Sequence, residues 1–90
     1  MKKYTIQDII IIINEKRAEH INKYGEFPNT MEISIAILMY IKNQFLISVN
    51  VPIEDIKVMY GMNIKINNNI ESPEEIKIYY ERILEDANSI

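Results

Sequence analysis

The chain has 90 residues, no cysteine, no tryptophan, a single histidine and a formal charge of −3 at pH 7. It is one domain in length. The lack of cysteine excludes disulfides, thiolate metal sites, iron–sulfur clusters and cysteine nucleophiles, and one histidine excludes any site that needs two. The acidic balance lacks the basic footprint of a nucleic-acid-binding domain, so nucleic acid is not an expected partner.

Thr5 with Asp8 three residues later forms a capping box ahead of an apolar run, and Gly25 followed by Pro28 marks the far end. These signals predict a helix over residues 6–24. At 100° per residue, Ile6, Ile9, Ile10, Ile13, Ile21 and Tyr24 share one face. Tyr4, Ile11 and Ala18 form a thinner second stripe, and Ile12 falls outside both. The isoleucine run over 9–13 also fits a buried strand, but the caps and the long charged continuation decide for helix.

Residues 26–30 (Glu-Phe-Pro-Asn-Thr) read as a turn. Met31, Ile33 and Ile35 then alternate with Glu32 and Ser34, a short strand. Ser34 can cap a second helix, and residues 35–47 are apolar on all sides, which places that segment centrally or at a subunit interface. Val49-Asn50-Val51-Pro52 breaks the pattern. Ile56, Val58 and Tyr60, then Met62, Ile64 and Ile66, alternate about Gly61 and predict a hairpin. A three-residue loop at 61–63 is expected, because it pairs Tyr60 with Ile64 and Val58 with Ile66, apolar against apolar.

Ser72-Pro73-Glu74-Glu75 has the form of a capped helix start with proline at the first helical position. The helix is expected to reach about Ala87, with Ile76, Tyr79, Tyr80, Ile83, Leu84 and Ala87 on one face. Glu74, Glu75, Glu81, Arg82, Glu85 and Asp86 lie on the other. The expected architecture is a single α+β domain over residues 1–90, ordered α–β–α–β–β–α, with about three strands and the helices mainly on one face. No targeting signal is evident: the apolar core after Lys2-Lys3 is short and lacks a small-residue cleavage site. No run approaches the ~20 apolar residues of a membrane span. A cytoplasmic protein without membrane contact is expected.

Candidate chemistry is sparse. Arg17, His20 and Tyr24 recur at i, i+3 and i+7 on the isoleucine face of the first helix, where a fork of donors, an imidazole and a phenol could hold a phosphate or carboxylate. Alternatively, the helix simply outruns the core there, and its dipole favours cations at that end. Tyr60 and Asn63 on the hairpin, with Lys65 and Asn67, offer an aromatic and polar surface of the kind used for base stacking. The C-terminal carboxylates spread around a helix and do not converge on a metal. With two glycines and no G-x-S-x-G or H-E-x-x-H spacing, no phosphate loop or catalytic set can be assembled, so neither an enzyme nor a cofactor is expected.

Isoleucine occurs 21 times, and with Asn, Lys and Tyr it fills half the chain. All four have AT-rich codons, so base composition accounts for much of the bias. Its physical consequence remains, since a domain this small cannot bury so many large aliphatic side chains, and exposed apolar surface marks association. The surplus lies within residues 4–47, which places an expected homo-oligomer contact on Tyr4, Ile11, Ile12, Ala18, Ile37, Tyr40 and Ile41.

Two short segments, residues 28–34 (PNTMEIS) and 60–66 (YGMNIKI), resemble small phage and prophage proteins of low-GC Gram-positive bacteria. In those proteins a charged helix leads into a P-N-T strand, then an apolar helix, then a Y-G-M segment. The resemblance implies a mobile-element protein that acts by binding. The expected function is therefore a non-enzymatic, self-associating interaction protein. The alternative is a counter-defence protein that sequesters a nucleotide signal or inhibits a host defence protein.

Overall fold

Helix α1 spans Ile6–Tyr24 between the ends that its sequence signals mark. The Thr5 hydroxyl accepts from the Asp8 amide and the Asp8 carboxylate accepts from the Thr5 amide, which satisfies two amides that a helix start leaves orphaned. Gly25, at φ 69°, closes the other end in the left-handed conformation, its N–H donating to the Ile21 carbonyl. This computed structural model describes residues 3–45 and 52–82.

Strand β1 (Thr30–Ile33) follows, then helix α2 (Ile35–Phe45), capped by the Ser34 hydroxyl, which accepts from the Ile37 amide. A single 3-10 turn at Ile53–Asp55 leads into the hairpin strands β2 (Val58–Met59) and β3 (Met62–Ile66). A second 3-10 turn, Pro73–Glu75, precedes strand β4 (Lys77–Tyr79). The four strands lie in the order β2–β3–β1–β4. Strands β1 and β3 run parallel, and both outer pairings are antiparallel. The domain is α+β, with a mixed four-stranded sheet and both helices roughly on one face.

The layer between helices and sheet is built from alternate residues. Met31 and Ile33 of β1, Met62 of β3, and Ile76 just before β4 turn inward against Ile9 and Ile13 of α1 and Ile37, Leu38 and Ile41 of α2, all of them buried. Burying one such side chain is worth about 1.5–3 kcal/mol, so this layer supplies most of the drive to fold. Ile37 and Ile41, two of the residues expected at an oligomer contact, belong to the chain's own core; Ile41 is 1% exposed.

Three expectations are corrected. The sheet has four strands in place of three. The hairpin loop is the two-residue turn Tyr60-Gly61, which pairs Met59 with Met62 and Val58 with Asn63. Both turn residues take positive φ, 54° and 76°, the sign of a type I′ turn, whose twist matches that of the flanking strands. Facing Met59 and Met62 inward is what fixes this register, and Val58 is left exposed opposite Asn63.

The third correction is the largest. Residues 76–82 are not helical: Ile76 and Ile78, two apart, face the core, while Lys77 and Tyr79 face outward. The Ser72 hydroxyl makes no cap, and the Glu75 carboxylate accepts from the Glu71 amide without starting a helix. The expected helix beyond residue 82, and the carboxylates at 85 and 86, lie outside the described residues.

The hairpin turn yields a prediction of two signs. Nothing lies within 4 Å of a Cβ built on Gly61, so Gly61→Ala costs only backbone strain, about 1–2 kcal/mol in a denaturant titration. Tyr60→Asn, which tolerates positive φ better, raises stability by about 0.5 kcal/mol.

Candidate functional site

Three surfaces stand out, one at a sheet edge, one on the open face of the sheet and one between the helices. The first is a groove of about 350 Å³ between α1 and the edge strand β4. Lys16, Glu19, His20, Lys23 and Tyr24 line it from α1, and Ile76, Lys77 and Ile78 from the strand. His20 is 9% exposed and its ring lies 4.7 Å from that of Tyr24, tilted by 45°. Its Nε2 is buried, has no hydrogen-bond partner and lies 3.8 Å from the Glu26 carboxylate. Of the three residues singled out on this helix, His20 and Tyr24 are thus brought together in the groove. Arg17 does not line it. Arg17 is half-buried on the other flank of the helix, about 100° round from Lys16, and its Nε is likewise buried without a partner.

The second surface is the outer face of the sheet, which no helix among the described residues covers. Glu32 sits at its centre: the carboxylate accepts from the Tyr79 hydroxyl in a short hydrogen bond and from the Asn67 side-chain amide at 2.9 Å. Those two bonds, Tyr79 first, hold the Glu32 carboxyl below its ordinary pKa against the opposing effect of burial, with lesser help from Lys77 and Lys65. Burial and the facing carboxylate push the Tyr79 phenol upward. At one end of this face, Asn29, Thr30, Asn63, Lys65 and Glu81 line a shallow hollow. Lys65 and Glu81 approach to 3.4 Å there. Asn63 therefore lies across the sheet from His20 and Tyr24, and Tyr60 is at the hairpin tip beside it. The five candidate ligand residues divide between two faces of the sheet and do not form one site.

The third surface is apolar. A groove of about 890 Å³ opens between the start of α1 and α2, walled by Tyr4, Ile6, Ile9, Ala36, Ile37 and Tyr40. The Tyr40 hydroxyl donates across it to the Tyr4 carbonyl at 3.3 Å. Next to it, Ile35, Met39 and Tyr40 form an exposed stripe along α2. Of the remaining residues expected at an oligomer contact, Ile11 (54% exposed) and Ala18 point to solvent from the far side of α1, and Ile12 is half-buried.

The roles of Glu32, Tyr79 and Asn29 were not read from the sequence. In the sequence Glu32 is the polar member of an alternating strand, and the helical stripe claims Tyr79. The one signal that could have joined them is Ile76-Lys77-Ile78-Tyr79, an alternation opposite in phase to the helical stripe. Among the described residues no group of three His, Asp or Glu side chains could hold a metal ion, and no helix is long and apolar enough to cross a membrane. The chain matches no protein-family model, no curated protein and no solved structure.

The Glu32 cluster gives a pH dependence. A carboxyl whose folded pKa is depressed adds stability that is complete above its unfolded value of about 4.3 and disappears as pH falls through the folded value. Urea midpoints measured at neutral pH and at a pH of about 3 will therefore differ. Tyr79→Phe, which removes the largest cause of the depression, narrows that difference while lowering the neutral-pH midpoint.

Proposed function

We propose that this protein is a self-associating binding module of the phage type that its two short motifs resemble, acting by contact and not by catalysis. The observation that carries the reading is the outward side of α2. Ile37, Leu38 and Ile41 fill the core from one side of that helix, yet Ile35, Ala36, Met39 and Tyr40 are exposed on the other. Ala36 and Tyr40 also wall the apolar groove beside α1, so the stripe and the groove are continuous. Small monomeric domains rarely leave such a surface open to water.

A second copy of the chain is the occupant that suits this surface best. Residues 35–41 carry no charge, so the stripe meets its own copy about a two-fold axis with no like-charge repulsion. The adjoining groove adds one charge of each sign, Lys3 and Glu71, at its lining. The outward side of α1, with Ile11 and Ala18, is a separate patch. The acidic helical face read from the sequence has no basis over residues 76–82, which are not helical.

Light scattering coupled to size exclusion at high micromolar concentration tests the reading. The expected mass is about twice the 10.6 kDa of one chain. Met39→Glu, on the exposed side of α2, is expected to give a folded monomer of unchanged circular dichroism. A wild-type chain that elutes at 10.6 kDa overturns the proposal.

A further inference from the structure

The apolar groove beside α2 carries two charged side chains on its lining, Lys3 from the segment before α1 and Glu71 from the segment before Pro73. Both are exposed, and neither forms an ion pair with a described residue of its own chain. The Glu75 carboxylate accepts from the Glu71 amide at 3.0 Å, which makes that wall more acidic still. Asp8 is held by the Thr5 amide in the capping box and does not line the groove. The rest of the lining is uncharged and largely apolar, with Ile6, Ile9, Ile37 and Tyr40 prominent in it.

A face that meets its own copy about a two-fold axis must complement itself. Its apolar part does so unaided. Its charges do so only when each cation has an anion to meet, because residue i of one copy touches j of the other and j touches i. One free lysine and one free glutamate on a single apolar groove have that composition. A partner of one charge sign would set one of the two against a like charge. We infer that the second copy is seated with the two-fold axis along this groove, so that Lys3 of each chain pairs with Glu71 of the other. The inference rests on self-association and adds to it the position of the axis and the contact that sets it. Two such pairs form in each dimer, at the margin of an apolar interface, where ion pairs fix register more than they add affinity.

Sedimentation equilibrium of the full chain measures the dimer dissociation constant. Lys3→Glu and Glu71→Lys, each alone, are expected to raise it about tenfold, since every substitution creates two like-charge contacts in the dimer. The doubly exchanged chain (Lys3→Glu with Glu71→Lys) is expected to return to within about threefold of the wild type. Mixing the two single variants is expected to give a heterodimer of wild-type strength, because all four charges then face their opposites. Glu71→Lys also makes the chain less acidic, so bulk repulsion alone would tighten association where the paired contact weakens it. Circular dichroism checks that each variant folds; should Lys3→Glu fail to, Glu71→Lys decides alone. A dimeric wild type whose dissociation constant is unmoved by the folded single variants, or an exchanged chain that does not recover, overturns the pairing and leaves self-association standing. A monomeric wild type overturns both.

Discussion

Asn29 is the point on which the sheet depends. Its backbone N–H donates to the Tyr79 carbonyl and its carbonyl accepts from the Asn63 amide, so the main chain alone joins β1 to both neighbours. The side chain repeats the feat. Its Nδ2 donates to the Glu81 carbonyl at 3.0 Å, and its Oδ1 accepts from the Glu81 amide at 2.7 Å and from the Thr30 hydroxyl at 2.8 Å. A primary amide carries a donor and an acceptor side by side, as a peptide bond does, and here it extends the β1–β4 pairing past the end of the strands. Aspartate lacks the donor and serine the reach. Losing such a group leaves strand-end amides and carbonyls unpaired, at about 1–3 kcal/mol where they are shielded from water.

The opposite end of the sheet is held by the same chemistry. Asn67 accepts from nothing in β1 but donates twice, its backbone N–H to the Ile33 carbonyl and its side chain to Glu32. The Asn68 side chain accepts from the Ile35 amide and so helps to start α2. The asparagines, which base composition alone would supply, therefore act as ties between segments distant in sequence. Between these two polar ends lies the apolar layer. Beyond it lie two faces of different character: an outer sheet face centred on a bonded carboxylate, and a helix face that presents uncharged apolar surface on α2.

Local signals in the sequence were reliable where they were self-contained. The capping box and the glycine stop of α1 depend on contacts three or four residues apart, and both helix ends fall where they indicate. The alternation of Met31 and Ile33 and the cap at Ser34 were equally legible. The C-terminal segment was not, because Ser72-Pro73-Glu74-Glu75 satisfies the local rules for a helix start and Ile76, Tyr79 and Tyr80 fit a helical stripe. What overrides them is pairing with β1, some 47 residues away in the register Met31 to Ile78, together with the β preference of isoleucine and tyrosine. The hairpin erred for a related reason: matching every apolar residue across the strands ignored the turn, where Tyr60-Gly61 accepts positive φ. Of the candidate site, the His20–Tyr24 pair was visible as a helical repeat. The groove's other wall was not, because residues 76–78 line it only as part of the segment that the sequence disguises as a helix.

The central claim is that β1 lies between β3 and β4, tied at Asn29, with residues 77–79 as a strand. Nuclear Overhauser contacts on the isotope-labelled chain test it most directly. The account predicts cross-strand contacts between Met31 and Ile78 and between Thr30 and Tyr79, together with parallel contacts from Met31 to Ile64. An unbroken series of helical i to i+3 contacts through residues 73–82, with none to β1, would contradict it.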